Sequence, residues 1–204
     1  PKVLMGPMDV HASHQGFYTD DFMKDYNRIK AGGARFPSEP DEAASTLHGQ
    51  DWDGNWFQLI KTAATAEIPR GQLPLDGSGF GHAHSAIVVE NIDNAVSFYR
   101  DLLGMEEVKW HVMEPSPRFV GTRLEGVRLQ EAWLRKGDFM IELIEYGNKQ
   151  DVTLDMHVTD VHCTHVGFFC DNLEEEHARL TSAGVRFLGE LRDAHGNTRD
   201  SIYA

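Results

Sequence analysis

The sequence repeats itself. His14-Gln15-Gly16-Phe17-Tyr18 returns 151 positions later (14 to 165) as His165-Val166-Gly167-Phe168-Phe169, and the stretch Arg28 to Phe36 returns at the same offset (28 to 179) as Arg179 to Phe187. Two separate matches at one offset define a duplicated unit. A unit of this size cannot bury its apolar face alone, so it must pair with a neighbour. Each copy reads as strand, helix, strand. In the later copy Asp171 or Asn172 can cap a helix, Glu174 to Glu176 suit its N-terminus, Leu173, His177 and Leu180 share a face, and Gly184 stops it.

A more distant relative lies between the copies, from Gly81 to Asn148. Its strand spans 82–89, and its helix carries Ile92, Ala95, Val96, Tyr99, Leu102 and Leu103 on one face before Gly104. Three apolar stretches follow, at 108–113, 127–134 and 139–146, giving strand-helix-strand-strand-strand. The first copy completes the same pattern through 45–50 and 56–61, joined by the turn Asp51-Trp52-Asp53-Gly54-Asn55. The last copy reaches Ala204 before such a turn and final strand are recognised, so its sheet is expected to lack one strand. Residues 62–80, with Pro69, Pro74, Gly71, Gly77 and Gly79, read as a linker. The expected organisation is a single module at 1–61, the linker, and a two-module domain at 81–204.

Charge narrows the partners. With 19 basic against 32 acidic residues the net charge is −13, which repels nucleic-acid phosphates and anionic membrane surfaces. No apolar run has the length of a membrane span, and nothing resembles a signal peptide. Cys163 and Cys170 stand an odd number of positions apart on one expected strand and so on opposite faces, which forbids a bridge. A reducing, cytoplasmic setting is expected. An unfinished sheet edge predicts association with another copy.

Three residues of metal-binding type fall where burial is expected. His84 precedes Ser85-Ala86-Ile87-Val88-Val89, a strand apolar on both faces, and His165 holds the matching place before Gly167-Phe168-Phe169. Glu142 lies inside Phe139-Met140-Ile141-Glu142-Leu143-Ile144. A buried carboxylate is costly without a cation, a metal or a proton. Two imidazoles and a carboxylate on neighbouring strands suit one divalent metal (Zn, Ni, Co, Mn or Fe), with positions left open for substrate oxygens. His82, two residues from His84, is placed on the same face as a substitute ligand or a supporting partner. Trp110, Phe119, Trp133 and Tyr146 are candidates for a cavity lining.

The run from Gly81 to Val89, the helix 92–105 (IDNAVSFYRDLLGM) and the strand 139–146 (FMIELIEY) resemble the vicinal oxygen chelate superfamily of glyoxalases, epimerases, extradiol dioxygenases and bleomycin resistance proteins. The turn Asp51 to Asn55 followed by Trp56-Phe57-Gln58-Leu59 resembles the superfamily's closing strand. The resemblance implies an α+β fold of paired strand-helix-strand-strand-strand modules forming half-open, curved mixed sheets around one metal. It places the metal ligands at His84, Glu142 and His165, with a fourth, normally Glu, expected beyond Ala204. The first module's matching positions are His14 and Gln58. Because Gln is not anionic, that module reads as a structural half-domain.

Function follows from the same resemblance. It implies a metal-dependent enzyme of the glyoxalase or epimerase type, a lyase or isomerase, acting on a small oxygen-chelating molecule through a metal-stabilised enediolate, with Glu142 as the proton-moving carboxylate. Two other readings compete. One is an Fe(II) extradiol ring-cleaving dioxygenase. The other is a metal-free drug-binding resistance protein, which would not need both histidines.

Overall fold

The computed structural model describes residues 12–40, 45–62, 79–115, 127–147, 165–193 and 195–204. Among these residues, seven strands form one open, mixed sheet: β1 (Ser13–Thr19), β2 (Thr46–Gln50), β3 (Trp56–Lys61), β4 (Phe80–Val88), β5 (Glu106–Met113), β6 (Leu129–Lys136) and β7 (Phe139–Tyr146), in the spatial order β2-β3-β1-β4-β7-β6-β5. Within each module the first strand runs parallel to the last, β1 to β3 and β4 to β7. The modules meet where β1 lies antiparallel to β4.

The sheet continues from the first module into the middle one. By internal contacts the chain forms two compact units, Pro1–Thr164 and His165–Ala204. The link between the first two modules is the pairing of β1 with β4. It joins the modules by main-chain hydrogen bonds, and hydrophobic periodicity within a strand does not specify which strand lies beside it.

Alternation sorts the side chains of the sheet onto two faces. On one face Phe22 and Tyr26 of α1 (Phe22–Ala31) pack on Leu47 and Leu59. On the same face Ile92 and Val96 of α2 (Ile92–Val96) pack on Ala132, Leu134, Ile141 and Leu143. Burying each such aliphatic side chain contributes roughly 1.5–3 kcal/mol. Asp21 caps α1 by accepting from the Lys24 amide at 3.2 Å, and Asn91 caps α2 by accepting from the Asn94 amide at 2.8 Å. The helix begun by α2 continues as a π-helical turn, Ser97–Leu102. The strand residues between the helix-packed ones, His48, Gln58, His84, Trp133 and Glu142, therefore project from the other face.

The second unit carries α3 (Leu173–Ser182), capped by Asn172 as expected, with Glu174, Glu175 and Glu176 in its first turn. Gly184, at φ +91°, takes the left-handed conformation that ends it. Asp193, His195, Gly196 and Asn197 share hydrogen bonds of the turn type expected only of Asp51 to Asn55. The Asp193 carboxylate accepts from the His195 and Asn197 amides, as that of Asp51 accepts from Asp53, Gly54 and Asn55. Residues 165–170, which read as a strand in the sequence, form no strand among the described residues. Cys170 is a free, exposed thiol, while Cys163 lies outside the described residues. No helix among the described residues is long and apolar enough to cross a membrane.

Candidate metal centre

Three side chains converge where the modules meet. β1 presents His14, β4 presents His84 and β7 presents Glu142, and the three ligand atoms all lie within 4.8 Å of one another. Nε2 of His84 is 3.2 Å from Nε2 of His14 and 3.2 Å from Oε2 of Glu142, and Nε2 of His14 is 3.6 Å from the same oxygen. Donors that hold one ion at about 2.1 Å stand roughly 3.0–3.5 Å apart, so these separations match a single divalent ion bound by two imidazoles and a carboxylate.

Gly16 makes the approach possible. It stands opposite His84 in the β1–β4 register, and a Cβ at that position would lie 2.3 Å from Cε1 and 2.4 Å from Nδ1 of the His84 ring. On another side Trp133 meets the ring edge-on, with centroids 4.8 Å apart. His84 is thus fixed between a strand backbone and an indole. The ring of His48, on β2, meets His14 edge-on at 5.0 Å. Gln58, opposite both Gly16 and His48 in the register, has a buried Oε1 with no hydrogen-bond partner among the described residues, so β3 supplies a further neutral oxygen donor on this face.

Burial sets the electrostatics. It pushes the His84 imidazole down to about 3 and, with the nearby His84 charge, holds His48 at about 4. His14 is depressed well below its ordinary value by burial and by His48 and His84. Glu142 is driven up to about 8 by burial, against a hydrogen bond from Glu131. Glu131 on β6 is raised to about 8 by burial and by repulsion from Glu142. Neutral imidazoles are the ligating form of histidine, and a carboxyl that resists ionising is one that a cation would stabilise.

The metal-free protein should therefore carry a definite pH signature. The carboxyls, raised above their ordinary 4.5, contribute stability that is full below pH 4.5 and lost as pH rises through about 8. The histidines, depressed from 6.5, contribute stability that is full above pH 6.5 and lost as pH falls through about 4 and 3. Between pH 4.5 and 6.5 the two trends oppose, and above 6.5 only the carboxyls titrate. In chelator the urea midpoint should fall from pH 6.5 to 8.5. Excess Zn2+ should remove that fall, because ligation needs the carboxylate ionised. An unchanged midpoint in chelator over this range would contradict the buried carboxyl pair.

A family profile described as "Glyoxalase/Bleomycin resistance protein/Dioxygenase superfamily" matches residues 81–203. The chain belongs to this superfamily. Its members include metal-dependent glyoxalases, epimerases and dioxygenases. Among solved structures, a glyoxalase family protein from Bacillus cereus is 25% identical with a TM-score of 0.41, over 53% of this chain and 74% of that one. Glyoxalase I from Zea mays is 19% identical with a TM-score of 0.44, over 70% and 47%. Methylmalonyl-CoA epimerase from Streptomyces coelicolor is 18% identical with a TM-score of 0.42, over 67% and 96%. No curated protein matches the chain.

Within this superfamily chain, the residues singled out from sequence fall as follows. His84 and Glu142 come together, and their companion in the cluster is His14. His165 is placed at the start of the second unit, exposed, with its ring edge-on to Tyr203 at 5.2 Å. His82 is turned away from His84 by a register shift between Gly16 and Phe17 that skips one residue of β4. It bonds Gln15, which also accepts from Ser85 on the opposite face. Trp133 and Tyr146 face the site, Trp110 is exposed, and Phe119 lies outside the described residues. Sequence reading passed over His48 and Glu131. Glu131 had a usable signal, a carboxylate two residues from Trp133 in a strand whose other face is apolar.

Proposed function

We propose that this chain is a metal-dependent enzyme of the glyoxalase or epimerase type, a lyase or isomerase that acts on a small oxygen-chelating molecule at His14, His84 and Glu142. The observation that carries this reading is the convergence of three ligand atoms, from three adjoining strands, at the separations one ion imposes. A bound divalent ion supplies Lewis acidity toward substrate oxygens and so acidifies an adjacent C–H. The chain's own residues do the rest. His14, His84 and Glu142 hold the ion, and Gln58 Oε1, across from Gly16 in the strand register, is a further oxygen donor on this face. The Glu131 carboxyl, which titrates close to neutrality beside Glu142, can take a proton and return it within one turnover. Trp133 and the sheet exclude water behind His84.

One observation favours a second reading. Two histidines and one carboxylate also make the ligand set of non-haem Fe(II) oxygenases. Metal analysis separates the two. Protein purified without chelator should contain about one equivalent of metal by plasma mass spectrometry, lost in the His14→Ala, His84→Ala double variant. Zn, Ni, Co or Mn, with exchange of a substrate C–H for solvent deuterium, supports the lyase or isomerase. Fe with catechol-dependent oxygen uptake supports the dioxygenase. No metal in the wild type overturns both and leaves the drug-binding reading.

A further inference from the structure

Beyond the ligand cluster the same face continues across β6 to β5, the last strand in the sheet order. Lys109 stands across from Trp133, which stands across from Glu142, and His111 stands across from Glu131. Cross-strand partners share a face, so both β5 side chains lie on the ligand face, two strand spacings or about 9.5 Å from the Glu142 backbone. Both are felt at the buried carboxyls. Burial and Glu142 raise Glu131, with His111 and Lys109 among the groups that oppose them, and burial raises Glu142, with Glu131 and Lys109 opposing it. Lys109 is half-buried and His111 exposed, so solvent reaches both. Arg135 shares the face, but its guanidinium is bonded to Glu106 at 2.7 Å. On the opposite side of the cluster β3 and β2 present Gln58, Trp56 and His48, none of which carries a charge at neutral pH.

A chain of net charge −13 repels anions as a whole, so an anion held here must be drawn by local cations. We infer that Lys109 and His111 form the subsite for a second group of the substrate, a carboxylate separated from its chelating oxygens by a short carbon chain. The ammonium supplies one full charge, and the imidazole supplies an N–H donor in any of its forms. A phosphate dianion would face that single ammonium beside the Glu131 and Glu142 carboxyls, so the single charge of a carboxylate is the better match. The substrate then lies along the row from Glu142 over Trp133 to Lys109. The inference deepens the metal-centre reading and rests on it for the position of the chelating end.

The test compares two hydroxy acids with the same chelating end, 2-hydroxyglutarate, which carries a second carboxylate, and 2-hydroxyvalerate, which does not. Calorimetric titration into the Zn2+-loaded full chain should show 2-hydroxyglutarate binding about tenfold more tightly, the worth of one charge-assisted hydrogen bond. Lys109→Met, checked for unchanged thermal unfolding, should abolish that preference, and Lys109→Arg should keep most of it. A second arm uses the metal-free chain, with glutarate as the anionic probe and glutaramide as its neutral counterpart. Glutarate should move the His111 ring 1H–13C resonances saturably, in the wild type and not in Lys109→Met, and glutaramide should not. Equal affinities for the two hydroxy acids, a preference that survives Lys109→Met, or a His111 ring that glutarate leaves unmoved would each overturn the inference. Failure of the metal-centre reading would appear separately, as a chain that takes up no Zn2+, and the metal-free arm would still decide whether Lys109 and His111 hold a carboxylate.

Discussion

His84→Ala should lower Zn2+ affinity by more than 100-fold, with Glu142→Gln close behind. A complete divalent site supplies on the order of 10–16 kcal/mol, so one ligand among three or four is worth roughly 3 kcal/mol or more. His84 should show the larger loss because its ring is the best fixed of the three, wedged between the Gly16 backbone and Trp133. Glu142→Gln removes the anionic donor and keeps the shape. In chelator this variant should unfold at higher urea than the wild type at pH 8, because the carboxyl it replaces is buried and resists ionising. His14→Ala should also lower Zn2+ affinity, by less than His84→Ala does, and His165→Ala should leave Zn2+ affinity unchanged. The measurement is competition titration against a chromophoric chelator. Retention of tight binding in His14→Ala, with loss in His165→Ala, would show that the ion is held by the ligand set expected from sequence.

How much of this was legible in the sequence depends on the range of the interaction involved. The α2 helix and strands β4 and β7 follow from local periodicity, and Glu142 stands out because a carboxylate inside an apolar strand needs a partner. The first module's role does not follow. His14 and Gln58 read as a structural remnant because the anionic ligand is missing, yet β1 pairs with β4 and brings His14 to within 3.2 Å of His84. Strand pairing is a long-range choice among compatible edges, and two copies of one motif offer nearly the same edge. The face of His82 depends on a similar subtlety. Strict alternation puts it with His84, and one bulge reverses the face. The second unit shows the converse case. Phe168 and Phe169 fit a strand pattern, but both are exposed and their stretch forms no strand among the described residues.

The repeat itself supplies the sharpest test of which copy builds the site. Gly16 and Gly167 occupy the same position in the duplicated motif, and by sequence either could be the residue that admits a histidine ring. In the structure they differ. A Cβ on Gly16 would stand 2.3 Å from the His84 ring, whereas one on Gly167 would meet none of the described residues within 4 Å. His84 cannot swing aside without leaving Trp133 or the Glu142 oxygen. Gly16→Ala should therefore destabilise the protein by about 1–3 kcal/mol, as overpacking a filled site does. It should also weaken Zn2+ binding more than tenfold, since displacing one ligand by an ångström costs affinity even where the chain still folds. Gly167→Ala should lie within about 0.5 kcal/mol of the wild type, with unchanged Zn2+ affinity. Urea unfolding and metal titration of the two variants side by side would decide it. A silent Gly16→Ala together with a damaging Gly167→Ala would mean that the second copy of the motif, not the first, is packed against His84.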